Sequence, residues 1–358
     1  MKNQRIEVID ALRGFALFGI FFTHIYLLHM QHQYSPKILS LINIVYVNAL
    51  FGKFFTIFSF LFGLSFSIQL QNSISRGESF SIKFLWRLTI LFVMGAIHSL
   101  IYKGDILQLY ALLGVLLLVF RNYSNKAILS LSLIFFLLSM AVPALRLKTN
   151  IEDNLNPVVD LISGELLRKV NWYLFSEGQL FVVATFFLLG YYVGKKDYLK
   201  NYNALLFKRV ALYTGIIAII CTLILAAIFF GGLRKNPALT YLEVTISVLM
   251  RLQQVSLSIL YTTIFVLLYN SKLSNKLNVI TPLGKMGLSM YILQSVLVLI
   301  FHQFFINVNL IFMIIGTLVL YAGQIILAKI WMSKFKFGPI EWLWRTLTNL
   351  SIVQHGKN

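Results

Sequence analysis

The chain has 358 residues, of which 58% are hydrophobic and 12% charged, and its mean hydropathy is +0.80. One soluble core could not bury this much apolar surface, so the composition excludes a soluble globular protein and predicts an integral membrane protein. The net charge is +19, but Lys and Arg are scattered among the ends of apolar runs. This distribution argues against a nucleic-acid partner, and the single cysteine, Cys221, excludes an intramolecular disulfide.

Apolar runs of about membrane-spanning length follow one another along the chain. The predicted spans are 9–30, 43–70, 82–102, 106–120, 127–145, 176–194, 209–230, 241–269, 285–305 and 309–333. The predicted fold class is therefore all-α, a polytopic protein of about ten transmembrane helices. We expect one domain over 1–358, whose last part, 335–358, is a cytoplasmic interfacial tail. If the spans alternate, most of the 31 Lys and Arg lie on the side of the two termini, which predicts that both termini are cytoplasmic.

The first span carries a stripe that is polar at both ends. Asp10, Arg13 and His24 share it with apolar residues at helical spacing, so we expect the stripe to face protein. Asp10 and Arg13, three residues apart, predict a structural ion pair, and Arg13 could also receive a phosphate. His29 and His32 have the same spacing, but no carboxylate or cysteine accompanies them, so we predict no metal site.

The stretch from Trp86 to Leu118 predicts two helices joined by a short break at Lys103-Gly104-Asp105. His98 lies near the end of the first helix, on the same stripe that Asp105 would continue. Ionisable groups inside a membrane are costly unless they face a partner or a wet cavity, so both residues are candidates for function. The alternative for His98 is a structural hydrogen bond between helices.

Four further polar residues fall inside predicted spans. Arg251 shares a helix face with Gln254, which favours a substrate-binding or ion-pairing role. Lys53 heads a stripe of small residues, and either snorkels outward or binds substrate. Gln294 follows the Thr281-Pro282 helix start and is a further binding candidate. These residues, with His24, His98 and Asp105, fall at a similar predicted depth, which predicts a cavity open to the outer side.

Five motifs resemble the YeiB-like family of bacterial membrane proteins. They are IDALRGFALFGI from Ile9, FSFLFGLSFS from Phe58, RLTILFVMGAIHSLIYKGDILQLYALLGVLLL from Arg87, TPLGKMGLSMYILQS from Thr281 and FGPIEWLWRTLT from Phe337. The resemblance implies a multi-pass protein of a bacterial cytoplasmic membrane. Leu12-Arg13-Gly14 followed by His24 is also similar to the start of multi-pass membrane acyltransferases, some of which carry acetyl groups from acetyl-CoA across the membrane.

Two functions of different class fit these residues. In the first, the protein transfers an acyl group from cytoplasmic acyl-CoA, a co-substrate, to a hydroxyl or amine of a surface glycan or lipid. His98 or His24 would then be the general base, and Asp105 would orient the imidazole. In the second, a transporter or export accessory binds a lipid or peptide in the same polar cavity. We predict membrane lipids as partners and no permanently bound cofactor.

Overall fold

The computed structural model describes residues 7–30, 46–77, 79–102, 104–149, 178–230, 240–304 and 310–349, which are almost entirely helical. Within these ranges, eight helical segments are long and apolar enough to cross a membrane, and two shorter apolar helices accompany them. The predicted all-α polytopic fold is therefore confirmed. The cytoplasmic location of the termini stays a prediction.

The helices match the predicted spans to within a few residues at most of their ends. In chain order they are α1 (Glu7–Met30), α2 (Lys53–Ser75), α3 (Phe80–Ile101), α4 (Leu107–Phe120), α5 (Asn125–Thr149), α6 (Gln179–Lys195), α7 (Ala204–Phe230), α8 (Thr240–Tyr269), α9 (Ser274–Leu277), α10 (Thr281–Lys285), α11 (Gly287–Phe304), α12 (Leu310–Lys334) and α13 (Pro339–Asn349).

Helix α1 lies at the centre of the bundle, in contact with α2, α8, α10, α11 and α12. Most of its side chains between Val8 and Tyr26 are accordingly buried, and Leu12 and Leu17 are both 0% exposed. The stripe predicted to face protein is buried at Asp10, Leu17 and Ile20. Helix α7, in contrast, packs mainly on α8 and leaves most of its apolar surface exposed, as a helix at the lipid boundary would.

Glycines allow the backbones of two helix pairs to touch. A Cβ added at Gly284 of α10 would overlap the carbonyl oxygen of Asp10 on α1, and one at Gly14 would lie 2.6 Å from the carbonyl oxygen of Ile280. Gly63 of α2 and Gly190 of α6 lie equally close to the backbone of each other's helix. Since lipid tails are as apolar as side chains, this steric fit of small residues holds membrane helices together.

Two predicted helices are interrupted. The span expected from 43 breaks at Gly52, whose φ of 79° is in the left-handed region, and α2 begins only at Lys53. A side chain at Gly52 would collide with the amide of Gln254, so the break brings this backbone next to α8. The helix expected from Thr281 ends at Lys285 and restarts at Gly287, one residue later.

Candidate active site

A cavity of about 1120 Å³ runs between helices α1, α2, α3 and α11. Along α1 its lining residues run from Ile9 to His24, and a rise of about 16 Å at 1.5 Å per residue separates Arg13 from His24. Helix α2 runs antiparallel to α1, because Phe54 near its start packs against Gly19 and Ser65 further along contacts Arg13. The lining residues on this side run from Gly52, just before α2, to Arg76, just after it. The cavity therefore has two ends of different chemistry, which we call the basic end and the histidine end.

Seven Lys and Arg residues line the basic end, against two carboxylates among the described residues. The cations are Arg13, Arg76, Lys83, Arg87, Lys200, Lys285 and Arg345, and the carboxylates are Asp10 and Glu341. Several of these cations come from helix termini that are far apart in the sequence. An excess of positive charge in a concave site attracts anions, and phosphate groups above all, because Lys and Arg donate charge-assisted hydrogen bonds to them.

Arg13 is held in place at this end by hydrogen bonds to α1, α2 and α10. Its Nη1 donates to Oδ1 of Asp10 at 2.9 Å and to the carbonyl oxygen of Gly284 at 3.2 Å, and its Nη2 donates to Oγ of Ser65 at 3.1 Å. The glycine at position 287 leaves room for the Arg13 side chain, which a Cβ there would meet at 2.6 Å. The structure thus contains the predicted Asp10–Arg13 pair and leaves Arg13 on the cavity wall.

The amphipathic helix α13 closes one side of the basic end. The carboxylate of Glu341 accepts hydrogen bonds from the backbone N–H groups of Leu288 (2.6 Å) and Ser289 (3.1 Å), and so caps the start of α11. Trp344 donates its indole N–H to the carbonyl oxygen of Arg87, whose guanidinium lies 4.6 Å from the Trp344 ring. These contacts fasten α13 to α3 and α11.

Four rings gather at the histidine end. The His24 ring centroid lies 4.9 Å from that of Tyr102 and 6.2 Å from that of Tyr291. His98 lies against the same two rings, at 6.1 and 5.4 Å. His24, Tyr102 and Tyr291 line the cavity. Nδ1 of His24 is buried without a hydrogen-bond partner among the described residues, so this imidazole is not committed to a structural bond there.

His98 and Asp105 form a buried pair behind this wall. Nδ1 of His98 lies 2.8 Å from Oδ1 of Asp105, and both side chains are almost completely enclosed. The second carboxylate oxygen accepts the backbone N–H of Gln108 at 3.3 Å. Neither His98 nor Asp105 is among the residues that line the cavity. The hairpin predicted from the sequence therefore forms, with the imidazole oriented by Asp105, while the catalytic roles of both residues stay predictions.

Arg251 and Gln254 belong to a second polar cluster, between α8, α2 and α6. Nη1 of Arg251 donates to Oε1 of Gln254 at 2.6 Å and to Oε1 of Gln179 at 3.2 Å. Gln254 in turn donates to the carbonyl oxygen of Gly52 at 3.0 Å. Lys53 is 2% exposed beside this cluster. Gln179 and Gly52 line the cavity, so Arg251, Gln254 and Lys53 lie one layer behind its wall.

The remaining predicted residues lie elsewhere. Gln294 is fully buried and donates to Oε1 of Gln324 on α12 at 2.9 Å, outside the cavity wall. His32 and the side chain of His29 lie outside the described residues, among which no group of three His, Cys, Asp or Glu could hold a metal ion. A binding role for Gln294 stays a prediction.

Three parts of this wall are not predicted from the sequence. Tyr102 immediately precedes the break that was recognised, and Gln179 opens α6, but neither carries a charge that would single it out. The sequence predicts the tail helix only as an interfacial anchor, although Trp344 and Arg345 line the cavity. Its docking depends on contacts 51 to 53 residues apart between Ile340 or Glu341 and the start of α11, which no local pattern reports.

Comparison with known proteins identifies the chain's relatives. The family model described as "Heparan-alpha-glucosaminide N-acetyltransferase, catalytic" matches residues 5–198, more than half of the chain. The chain belongs to this family. A model for a protein family of unknown function, DUF418, matches residues 193–351. No solved structure matches significantly.

This acetyltransferase-family chain also has full-length bacterial relatives. An uncharacterised 39.9 kDa protein of Bacillus acidopullulyticus is 28% identical over 370 residues, covering 97% of this chain and 94% of the relative. The uncharacterised YxaH of Bacillus subtilis is 26% identical, with coverage of 98% and 96%. The uncharacterised YeiB of Escherichia coli is 26% identical, with 96% of each covered. The YeiB-like resemblance is thereby confirmed.

Membership in the N-acetyltransferase family indicates a membrane-bound acyltransferase without specifying its substrates. The matched part contains α1 to α6, and with them Arg13, His24, Tyr102 and the His98–Asp105 pair. The cavity also needs α10, α11 and α13, which lie in the part matched by the second family model. The two halves of the chain therefore build one site, and the protein is a multi-pass membrane protein with bacterial homologues.

Proposed function

We propose that this protein transfers an acyl group from acyl-CoA, most simply acetyl-CoA, to a hydroxyl or amine of a glycan or lipid on the opposite side of the membrane. The observation that carries the proposal is the single cavity that joins the basic end to His24. Family membership supports acyl transfer as the reaction class. The substrates and the direction of transfer are our inference.

The donor would enter at the basic end. Its phosphates match the excess of Lys and Arg there. Between the two ends the wall is apolar and rich in rings, among them Phe55, Phe58 and Phe62, which suits the uncharged arm that carries the thioester. The distance of about 16 Å between Arg13 and His24 along α1 is comparable to the length of such an arm when extended. The thioester would then lie beside His24.

His24 would be the general base, because it lines the cavity whereas His98 lies behind the wall. A neutral imidazole can take the proton of the acceptor hydroxyl or amine as its oxygen or nitrogen attacks the thioester carbonyl carbon. The carbon–sulfur bond then breaks, and the departing thiolate takes the proton back from the imidazolium. His24 ends the cycle neutral, so no further proton donor is required.

The acceptor would approach at the histidine end. The wall there includes Gln179 and Gly52, which Arg251 and Gln254 hold from behind. A polar acceptor would find hydrogen-bonding groups at this end and would not need to pass the cations. If both termini are cytoplasmic, as the Lys and Arg distribution predicts, the basic end faces the compartment that holds acyl-CoA.

The proposal is tested with purified protein in detergent and acetyl-CoA labelled in its acetyl group. D-glucosamine and a total bacterial lipid extract serve as acceptors, and free CoA thiol is measured in parallel. We expect label on an acceptor with equal release of thiol. His24→Ala should lower the rate about 10²- to 10⁴-fold, while His302→Gln, outside the cavity wall, should match wild type.

Two results would overturn the enzyme assignment. One is folded wild-type protein that releases no thiol and labels no acceptor. The other is uptake of unmodified acceptor into liposomes in the absence of acetyl-CoA, which would favour a carrier. An active His24→Ala variant would instead remove only the role of His24.

A further inference from the structure

The turn between α3 and α4 holds one side chain against His24. Tyr102 follows the last residue of α3, and its backbone N–H donates to the carbonyl oxygen of His98 at 2.9 Å. Its own carbonyl oxygen accepts the N–H of Asp105 at 3.3 Å. The hydrogen bond between the His98 and Asp105 side chains closes the same turn from the other side. Three hydrogen bonds thus fix the backbone that carries the Tyr102 ring.

The Tyr102 side chain lines the cavity. A Cβ added at Gly104, itself a wall residue, would lie 3.0 Å from this hydroxyl oxygen and 2.6 Å from Cε1 of the ring. The ring of Tyr102 contacts that of His24, the proposed base. Tyr291 is also near both histidines, but its hydroxyl oxygen is fully enclosed. Of these two phenols, Tyr102 is the one placed to reach a substrate next to His24.

We propose that the Tyr102 hydroxyl donates a hydrogen bond to the thioester carbonyl oxygen during acyl transfer, with His98 and Asp105 as positioning residues that hold its turn. This inference rests on the proposed function. Attack by the acceptor moves the carbonyl π electrons onto oxygen, where negative charge develops. The phenol stabilises that charge without losing its proton, since phenols ionise only near pH ~10. When the carbon–sulfur bond breaks, the carbonyl re-forms and the hydrogen bond weakens.

The arrangement gives a reason for burying His98 and Asp105 together. Ionisable groups inside a membrane bundle are expensive, and this pair does not line the cavity that holds the proposed chemistry. Gly95 on α3 allows the close approach, because a Cβ there would lie 3.0 Å from Oδ2 of Asp105 and 2.8 Å from the backbone nitrogen of Gln108. The pair therefore sets the geometry of the turn, and the turn sets the position of Tyr102.

The test compares Tyr102→Phe with wild type in the labelled acetyl-CoA assay, using the acceptor that wild type acylates. Loss of one preorganised donor to a developing oxyanion typically lowers kcat about 10²- to 10³-fold. We expect a decrease of this size in kcat with KM for acetyl-CoA within about twofold of wild type, because the ring and its packing remain. Tyr261→Phe is the matched control. Its hydroxyl donates to the carbonyl oxygen of Ala49, away from the cavity wall, and kcat should not change.

A second variant keeps the hydroxyl but moves it. Gly104→Ala would push the Tyr102 ring aside, so kcat should fall while the protein still binds acetyl-CoA. If the wild-type protein is active and Tyr102→Phe has the same kcat, the role of Tyr102 is overturned and acyl transfer is left intact. A loss expressed only in KM or in the unfolding temperature would also overturn it, since that is the result expected of a packing residue. Absence of transfer by wild type would instead overturn the proposed function.

Discussion

The imidazole of His98 and the carboxylate of Asp105 meet across the α3–α4 turn, 2.8 Å apart and shielded from solvent. The two residues belong to different sides of a helix break, so their bond ties the end of α3 to the start of α4. The same carboxylate accepts the backbone N–H of Gln108 in the first turn of α4. One side chain thus satisfies two buried donors and fixes the angle at which the chain reverses.

Removal of the Asp105 carboxylate should destabilise this hairpin. Asp105→Ala leaves His98 and the Gln108 N–H without their acceptor in an enclosed place, and we expect the free energy of unfolding to fall by about 1–3 kcal/mol. Asp105→Asn keeps one oxygen as an acceptor, so its free energy of unfolding should fall less. Thermal unfolding in detergent measures both variants, with Asp197→Asn, which removes a half-buried carboxylate paired to Lys200, as the control. Equal stability of Asp105→Ala and wild type would contradict the described bond.

The basic end should bind the nucleotide part of the donor. We expect Lys83→Gln with Lys285→Gln to raise KM for acetyl-CoA about three- to tenfold, as the loss of two solvent-accessible charges suggests. Added salt should shrink the difference, because it screens these charges. The acetyl thioester of N-acetylcysteamine lacks phosphates and should react equally with both proteins. Lys208→Gln with Lys329→Gln, away from the cavity wall, is the control pair.

The contact between α1 and α10 should tolerate no side chain at position 284. Gly284→Ala places a methyl group into the carbonyl oxygen of Asp10 and within 2.8 Å of the Gly14 nitrogen. Backbone atoms cannot move aside, so we expect a loss of about 1–3 kcal/mol or more in the free energy of unfolding. Gly323→Ala on α12 meets nothing within 4 Å and should be neutral or stabilising by up to about 1 kcal/mol. Thermal unfolding of the two variants side by side checks the contrast, and a similar result for both would refute it.

The carboxylate of Glu341 should be needed to keep α13 on the bundle. Without it, the N–H groups of Leu288 and Ser289 lose their capping acceptor, which typically costs about 0.5–2 kcal/mol. We expect Glu341→Ala to lower the unfolding temperature and to speed trypsin cleavage after Arg345. Glu341→Gln should lie between wild type and Glu341→Ala in both measurements, since its amide oxygen can still accept a hydrogen bond. Glu243→Ala, at an exposed position of α8, controls for the loss of a carboxylate, and unchanged cleavage of Glu341→Ala would count against the cap.

The sequence alone determined the class of the protein and the course of its helices. Long apolar runs predict membrane spans because a bilayer requires about 20 such residues per helix, and α1, α3, α4 and α12 begin and end close to the predicted bounds. The Asp10–Arg13 pair and the His98–Asp105 hairpin could also be predicted from the sequence. Both are local, since three and seven residues separate the partners.

Tertiary structure decided which of the polar residues share a site. Gly284 touches α1 and Glu341 caps α11 through contacts that no helical period records. Hydropathy reports only that a helix face avoids water. It does not choose the neighbour of that face, because an apolar face packs equally well against lipid and against another helix. The choice of neighbour is made by the fit of glycines and by individual hydrogen bonds. That choice brings Tyr102 to His24, leaves His98 behind the wall and places the cations of distant helix ends around one cavity.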